Sequence, residues 1–436
     1  MTIRAFFTLL FLALFGAAYA QDSGTVPRFS VHFQQTVIGQ YHPSLKADYR
    51  GENSLKTHPE TDASVTATLF AGMRLWKGAA VFVNPELAGG SGFSSTLGIA
   101  GFPNGETFRV GSSDPKIYFA RAYVQQTFGF GSGTHVQDDD LNQLAGMQPD
   151  HYLTITAGKF GLADFFDDNT YSHDPRTEFM NWSLMSNAAW DYPANTRGYV
   201  WGAMAEYGWP GWAVRLAGTM LTTTANGSVW DEHIGKAFAF TAEADHNYTI
   251  AGQPGTVRLL GFYNQTKMGD YRQAIAENPA APDIESTRAY GRHKTGFGIN
   301  AEQALSPTLG LFAKASYNDG HAETWAFTEI DRSVSAGLAM KGDRWNRKSD
   351  VLGIAAVVNG LSAPHRDYLA AGGYGFMIGD GKLNYAPETI GEIYYSVAAY
   401  KNWLSISPGY QFILHPAYNA DRGPVHVFSL RAHISI

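Results

Sequence analysis

The chain has 436 residues, is 14% aromatic and only 16% charged, contains no cysteine and carries a formal net charge of −7. The absent thiols exclude disulfides, thiolate metal sites and cysteine nucleophiles, and the negative balance argues against a nucleic-acid partner, which calls for a basic surface. No segment beyond the N-terminus approaches about eighteen continuous apolar residues, so a bundle of membrane helices is excluded as well.

Residues 1–20 read as a signal peptide: Arg4 supplies the positive start, 5–15 the apolar core, and Ala18-Tyr19-Ala20 the small-x-small cleavage pattern. Gln21 rather than Cys follows, which speaks against a lipoprotein anchor. The remainder, 21–436, reads as a single domain in which apolar and polar residues alternate. In 63–75, Ala63, Val65, Ala67, Leu69, Ala71, Met73 and Leu75 form one face, and Ser64, Thr66, Thr68, Phe70, Gly72 and Arg74 the other. Successive strand side chains point to opposite sides, so the period predicts strands with one oily and one mostly polar face. In chain order the strands are predicted over 30–37, 63–75, 79–87, 117–128, 152–158, 198–207, 212–219 and 237–245. They continue over 256–264, 295–303, 309–317, 331–340, 350–358, 389–400, 403–413 and 428–436. Many have the ~9–11 residues with which a tilted strand crosses a bilayer, and the count of about sixteen is even, as bacterial barrels require.

The connections alternate in length. Tight turns are predicted at Trp76-Lys77-Gly78, Gly208-Trp209-Pro210-Gly211, Leu305-Ser306-Pro307-Thr308 and Lys401-Asn402, and long polar loops near 38–61, 88–116, 159–197, 266–293 and 359–388. Short turns on one side and long loops on the other define a transmembrane antiparallel β-barrel with short periplasmic turns and long extracellular loops. One connection breaks the pattern: 129–151 falls where a short turn belongs. The strand charges Arg74, Arg121, Arg215, Arg258, Lys314, Arg431, Glu86, Glu243, Glu302 and Glu392 all share parity with the polar face, where an Arg or Lys escapes the ~2–4 kcal/mol cost of facing lipid. Trp76, Phe128, Tyr207, Trp212 and Trp403 stand beside turns, as in the aromatic girdles of membrane barrels. Pro408, inside a predicted strand, is expected at a bulge or an edge position because it lacks the ladder donor.

Three stretches resemble the OprB-type carbohydrate-selective porin family. One runs from Glu392-Ile393-Tyr394-Tyr395 through Trp403 and Ser407-Pro408-Gly409-Tyr410-Gln411-Phe412-Ile413 to His415-Pro416 and a closing strand with Arg431. A second is Ala157-Gly158-Lys159-Phe160 followed by Phe179-Met180-Asn181, Asn187, Tyr192-Pro193 and Gly198, and a third runs from Ala120 to Gly129. The resemblance implies a sixteen-stranded porin of the bacterial outer membrane that conducts mono- or small oligosaccharides by passive diffusion, embedded in outer-membrane lipids as a monomer or homotrimer, with no cofactor.

A barrel of this size leaves an aqueous channel unless something fills it. Residues 159–197, long, rich in Asp, Asn and aromatics and without strand period, are the candidate pore-constricting loop. The predicted pore lining pairs Arg74, Arg121, Arg215, Arg258 and Lys314 with Glu86, Glu243 and Glu392, and adds the aromatics Tyr123, Phe312 and Tyr394. Mixed charges offer hydrogen bonds to hydroxyls without a net field that would select ions, and aromatic faces suit sugar rings. The alternatives are an outer-membrane barrel enzyme of lipase or protease type and a closed structural barrel; against the enzyme, His426 has outward parity but no outward serine beside it. Asp138-Asp139-Asp140 lacks the spacing of a calcium loop and reads as a solvated turn, while His173-Asp174 and His365-Arg366-Asp367 read as surface-loop residues rather than a metal site.

Overall fold

A computed structural model describes residues 27–107, 114–400 and 403–436. The expected signal segment 1–20 and the Lys401-Asn402 turn lie outside the described residues. The strands are β1 (Phe29–His42), β2 (Glu60–Trp76), β3 (Ala79–Gly90), β4 (Lys116–Gly129), β5 (Thr134–Gln137), β6 (Gly146–Pro149), β7 (Tyr152–Phe160), β8 (Val200–Trp209) and β9 (Trp212–Met220). They continue with β10 (Phe238–Ile250), β11 (Gln253–Thr266), β12 (Arg292–Ser306), β13 (Leu309–Asn318), β14 (Arg332–Gly342), β15 (Arg347–Gly360), β16 (Glu388–Tyr400), β17 (Leu404–Leu414) and β18 (Val425–Ser435). All but β5 and β6 form one closed antiparallel barrel in chain order, sealed where β1 pairs with β18 from Gln34↔Ser435 to Tyr41↔Phe428. Closure removes the unpaired strand edges that lipid cannot hydrate.

Each of the sixteen predicted strands coincides with a barrel strand, with ends displaced outward in several cases; β2, for instance, begins at Glu60 rather than near 63. The period marks only the part of a strand with one oily face, whereas ladder hydrogen bonds run on into the polar rim. The tight turns shrink to two residues, Lys77-Gly78, Pro210-Gly211 and Pro307-Thr308, and a further one at Ala251-Gly252 has both residues at positive φ, the primed geometry that matches strand twist. Pro408 sits in the middle of the sheet rather than at an edge. Its missing donor interrupts the β16–β17 pairing between Tyr394↔Gly409 and Val397↔Ile406 without changing register, so no bulge forms there. The anomalous connection 129–151 contains the two-stranded sheet β5–β6.

The molecule is apolar outside and polar within. Val214, Leu216, Phe240, Leu259, Phe297 and Leu430 are exposed on the outer wall, while their neighbours Thr241, Glu243, Arg258, Asn300 and Arg431 are buried inside. Trp76, Tyr207 and Trp212 stand exposed beside the short turns and Phe128 at the same rim near the end of β4, and Trp209 stacks on Trp212 at 6.1 Å between ring centres, forming a girdle at that rim. At the opposite rim the long loops fold over and into the barrel, burying Phe93, Phe102, Phe179, Trp190 and Phe327 in one cluster. His365, expected on a surface loop, is fully buried in the short helix Ala363–Ala370. Ser362 caps that helix by accepting from the His365 amide, and the ring Nδ1 lies 3.0 Å from Asp331 Oδ2. Pattern reading missed it because loop-on-loop packing leaves no period.

Leu216 lies midway along β9 and is 54% exposed on the outer wall. Leu216→Arg is expected to lower the stability of the membrane-inserted barrel by about 2–4 kcal/mol, read from unfolding titrations in lipid vesicles. Thr241→Arg is no substitute control, since that site is filled; Lys at exposed His58 in the first loop should leave stability unchanged.

Candidate functional site

The interior divides into two halves. One holds a cavity of ≈ 1110 Å³ bordered by β1–β4, β7 and β8, by residues 161–199 and by the β5–β6 hairpin. No residue of β9–β18 borders it. The other half is filled by residues 159–197, and the inward charges of the wall explain how.

Peptide groups of an irregular segment need partners when taken from water. Here wall carboxylates accept from loop amides, and wall cations donate to loop carbonyls. Glu243 accepts from the Asp167 amide at 2.8 Å, Glu302 from Thr170 at 2.6 Å, and the two oxygens of Glu392 from Met180 at 2.7 Å and Asn181 at 3.0 Å. Lys314 donates to the Ser172 carbonyl at 2.7 Å, and Arg431 to the carbonyls of Pro175, Glu178 and Thr177 at 2.6–2.9 Å. Phe179 inserts between Phe312 and Tyr394, with ring centres 5.6 and 5.0 Å away. Arg258 lies 3.3 Å from Glu302, and Arg215 bridges Glu206, Glu243 and Asp245 along the wall.

The inward residues predicted from parity therefore separate into two groups. Arg74, Glu86, Arg121 and Tyr123 border the cavity. Arg215, Glu243, Arg258, Phe312, Lys314, Glu392 and Tyr394 also point inward, but the structure sets them against the loop or against one another, where parity alone expected open water. Parity reports which side of the wall a residue faces, not what occupies that side.

Around the cavity the charges are matched. Arg121 donates from Nε to Asp164 Oδ2 at 2.6 Å, and a second guanidinium nitrogen reaches the other oxygen. Arg176 donates to Glu106 at 3.0 Å and stands 3.7 Å from Glu86, which also accepts from Thr68 at 2.7 Å and from the Tyr199 hydroxyl at 3.1 Å. Burial pushes the Glu106 carboxyl up, against the pull of Arg176. Arg121 lies over the Tyr199 ring at 5.1 Å. Trp182, Tyr192 and Phe327 form an aromatic wall, with Trp182 stacked 5.7 Å and Tyr192 4.3 Å from Phe327. Asp164, Arg176, Glu106, Tyr199, Trp182 and Tyr192 were not among the sequence-predicted site residues because they lie on loops or at a loop end; for Asp164, Arg176, Trp182 and Tyr192 the signal available was the Asp- and aromatic-rich composition of 159–197, which does not reach Glu106 or Tyr199. Among the described residues no group of three or more His, Asp or Glu side chains could hold a metal ion.

A family model described as "Carbohydrate-selective porin, OprB family" matches residues 52–436. Among curated proteins, porin AaxA of Chlamydia pneumoniae is 22% identical over 308 residues, covering 69% of this chain and 60% of that protein. Porin AaxA of Chlamydia trachomatis serovar L2 is 24% identical over 291 residues, covering 66% and 53%. The chain thus spans about 60% and about half of the length of these relatives. Among solved structures, the high-pH structure of Pseudomonas putida OprB superposes with a TM-score of 0.70 at 18% identity, covering 94% of both chains.

Two outcomes follow for the loop. Glu392→Ala strands two buried amides, each worth about 1–3 kcal/mol, so hydrogen exchange at Met180 and Asn181 should accelerate while the barrel amides stay protected. Burial, and behind it the negative charge of Asp174, push the Glu178 carboxyl up to about 8. This lies above the ordinary ~4.3, so folding favours the protonated acid. Its contribution is full below the ordinary value, shrinks as pH rises and is gone above about 8. Raising pH from about 7 to about 9 should loosen the loop, read as a fall in amide protection over 173–181 after correction for the base-catalysed intrinsic exchange rate, and Glu178→Gln should abolish that fall.

Proposed function

The chain belongs to the OprB family of carbohydrate-selective porins, and from that premise we propose that small neutral sugars diffuse through its off-centre cavity across the bacterial outer membrane. Fold and family are those of an outer-membrane channel rather than an enzyme. Residues 1–20 serve as the export signal, 21–436 as the barrel, and 159–197 as the segment that constricts the pore.

The observation carrying this reading is the internal matching of charge along the cavity. Arg121 is paired with Asp164, and Arg176 with Glu106 and Glu86. Such pairs leave little net field to attract or exclude ions, yet their outer lone pairs and N–H groups offer hydrogen bonds to hydroxyls. Arg74, Glu86, Arg121 and Tyr123 are the wall residues assigned to contact solute, with Trp182 and Tyr192 giving apolar faces for sugar rings. Flux requires that these contacts be weak enough to release the solute. No chemistry on the solute is assigned: outward His426 is engaged by the Tyr410 hydroxyl, with Nδ1 at 2.7 Å, not by a serine.

Liposome swelling checks the proposal. Glucose should enter faster than charged amino acids of similar size, and equal rates would defeat the reading. Arg121→Ala leaves Asp164 uncompensated beside the cavity, so reversal potentials should shift toward cation selectivity, while a matched Arg121→Ala/Asp164→Asn pair should return toward neutral behaviour.

A further inference from the structure

The one connection that violates the alternation of short turns and long loops has not been given a role. Residues 130–151 leave β4 on the short-turn, periplasmic side, run out along β5, and return along β6. Their tip does not hang free. Leu144, 4% exposed, is buried against the inner face of β2 and β3 beside Gly72, whose missing side chain makes room for Phe82: a Cβ there would stand 2.8 Å from Phe82 and in ordinary contact, 3.7 Å, with Leu144. Asn84 Nδ2 donates to Asn142 Oδ1 at 2.8 Å, and Arg74 to the Ala145 carbonyl at 2.9 Å. His32 of β1 lies 3.1 Å from Asp139. Phe82, Asn84 and Arg74 are inward residues of the wall, so the tip is fastened inside the barrel mouth. It is also braced within itself: Gln137 donates to the Leu144 carbonyl at 3.1 Å, and Gln143 to the Asp138 carbonyl at 2.8 Å. Leu141, Asn142, Gln143 and Leu144 border the same cavity as Arg121 and Asp164.

We propose that this hairpin tip is a second narrowing of the pore, placed at the periplasmic exit in series with residues 159–197, and that it sets the upper size of solute released. The inference rests on the reading of the barrel as an open porin. The tip borders the cavity with the uncharged Leu141, Asn142, Gln143 and Leu144, while Asp138, Asp139 and Asp140 do not line it, so it discriminates by width rather than by charge, which is left to the Arg121–Asp164 level. The two-residue turn at Pro210-Gly211 on the same rim does not border the cavity, whereas this connection reaches back into it with Leu141, Asn142, Gln143 and Leu144.

The full-length protein with 138–145 replaced by Asn-Gly keeps β5 and β6 joined by a two-residue turn. Single-channel conductance in planar bilayers should rise about twofold, and disaccharide swelling rates should gain on glucose, with the neutral-over-charged preference of the parent unchanged. A folded variant with parental conductance and parental disaccharide-to-glucose ratio overturns the inference. Should the deletion fail to fold, Leu144→Ser/Asn142→Ala/Asp139→Asn in the intact chain removes three of the four wall contacts, leaving only the Arg74 bond to the Ala145 carbonyl, and is expected to move both readouts the same way; no movement again overturns it. A parent that conducts no ions sinks the porin reading and this inference with it, whereas a conducting parent with an indifferent hairpin sinks only the latter.

Discussion

An irregular stretch of chain can lie inside a barrel only if its peptide groups find partners there, because each one buried unpaired costs a large fraction of a domain's marginal stability. Beyond Phe160, the end of β7, residues 161–197 have no ladder to join. The wall supplies side chains instead: carboxylates of Glu243, Glu302 and Glu392 take the amides, and Lys314 and Arg431 cover the carbonyls. Buried charges are expensive to desolvate, and here each is offset by hydrogen bonds to backbone dipoles of the matching sense. The inward charges of β10–β18 thus act as a template for the loop, and the position of the cavity follows from where that template ends.

The cavity lies along β1–β4, β7 and β8, where the loop meets the wall through side chains such as Asp164 and Arg176 rather than through its backbone. Its own charges face carboxylates or guanidinium groups brought by the loops, so the lining is polar without being strongly of one sign. A solute exchanging its water for such a lining loses little when it is neutral and rich in hydroxyls. An ion finds neither a ring of like charge nor a compensating one. The cavity is bordered by different elements, residues 161–199 from above, the wall from the side and the β5–β6 hairpin from below, and in the proposed reading these divide width, hydrogen bonding and weak electrostatics among them.

The barrel itself was legible residue by residue. Alternation in segments such as 63–75 marked each of the sixteen strands, and the polar parity of Arg431 or Glu392 marked the inward face. The anomaly at 129–151 was visible as an anomaly, though nothing in Asp138-Asp139-Asp140 announced that the tip turns back into the mouth. For the cavity the reading reached Arg74, Glu86, Arg121 and Tyr123 but not their partners. Asp164, Arg176 and Glu106 lie on loops, where no period ties a residue to a direction, and His365 was misjudged as a surface residue for the same reason.

What the amino-acid order determined alone is everything governed by short-range periodicity: a strand places residues two apart on one face, and lipid on one side and water on the other impose opposite chemistry on those faces. Strand number, facing, closure and the alternation of turns and loops follow from that rule. What only the tertiary structure decided is what each inward group meets, because Glu392 and Glu86 have the same parity and the same chemistry. Glu392 accepts from the Met180 and Asn181 backbone amides, whereas Glu86 meets the side chains of Tyr199 and Arg176 beside the cavity, and that choice depends on long-range pairing between loop and wall that no local pattern encodes.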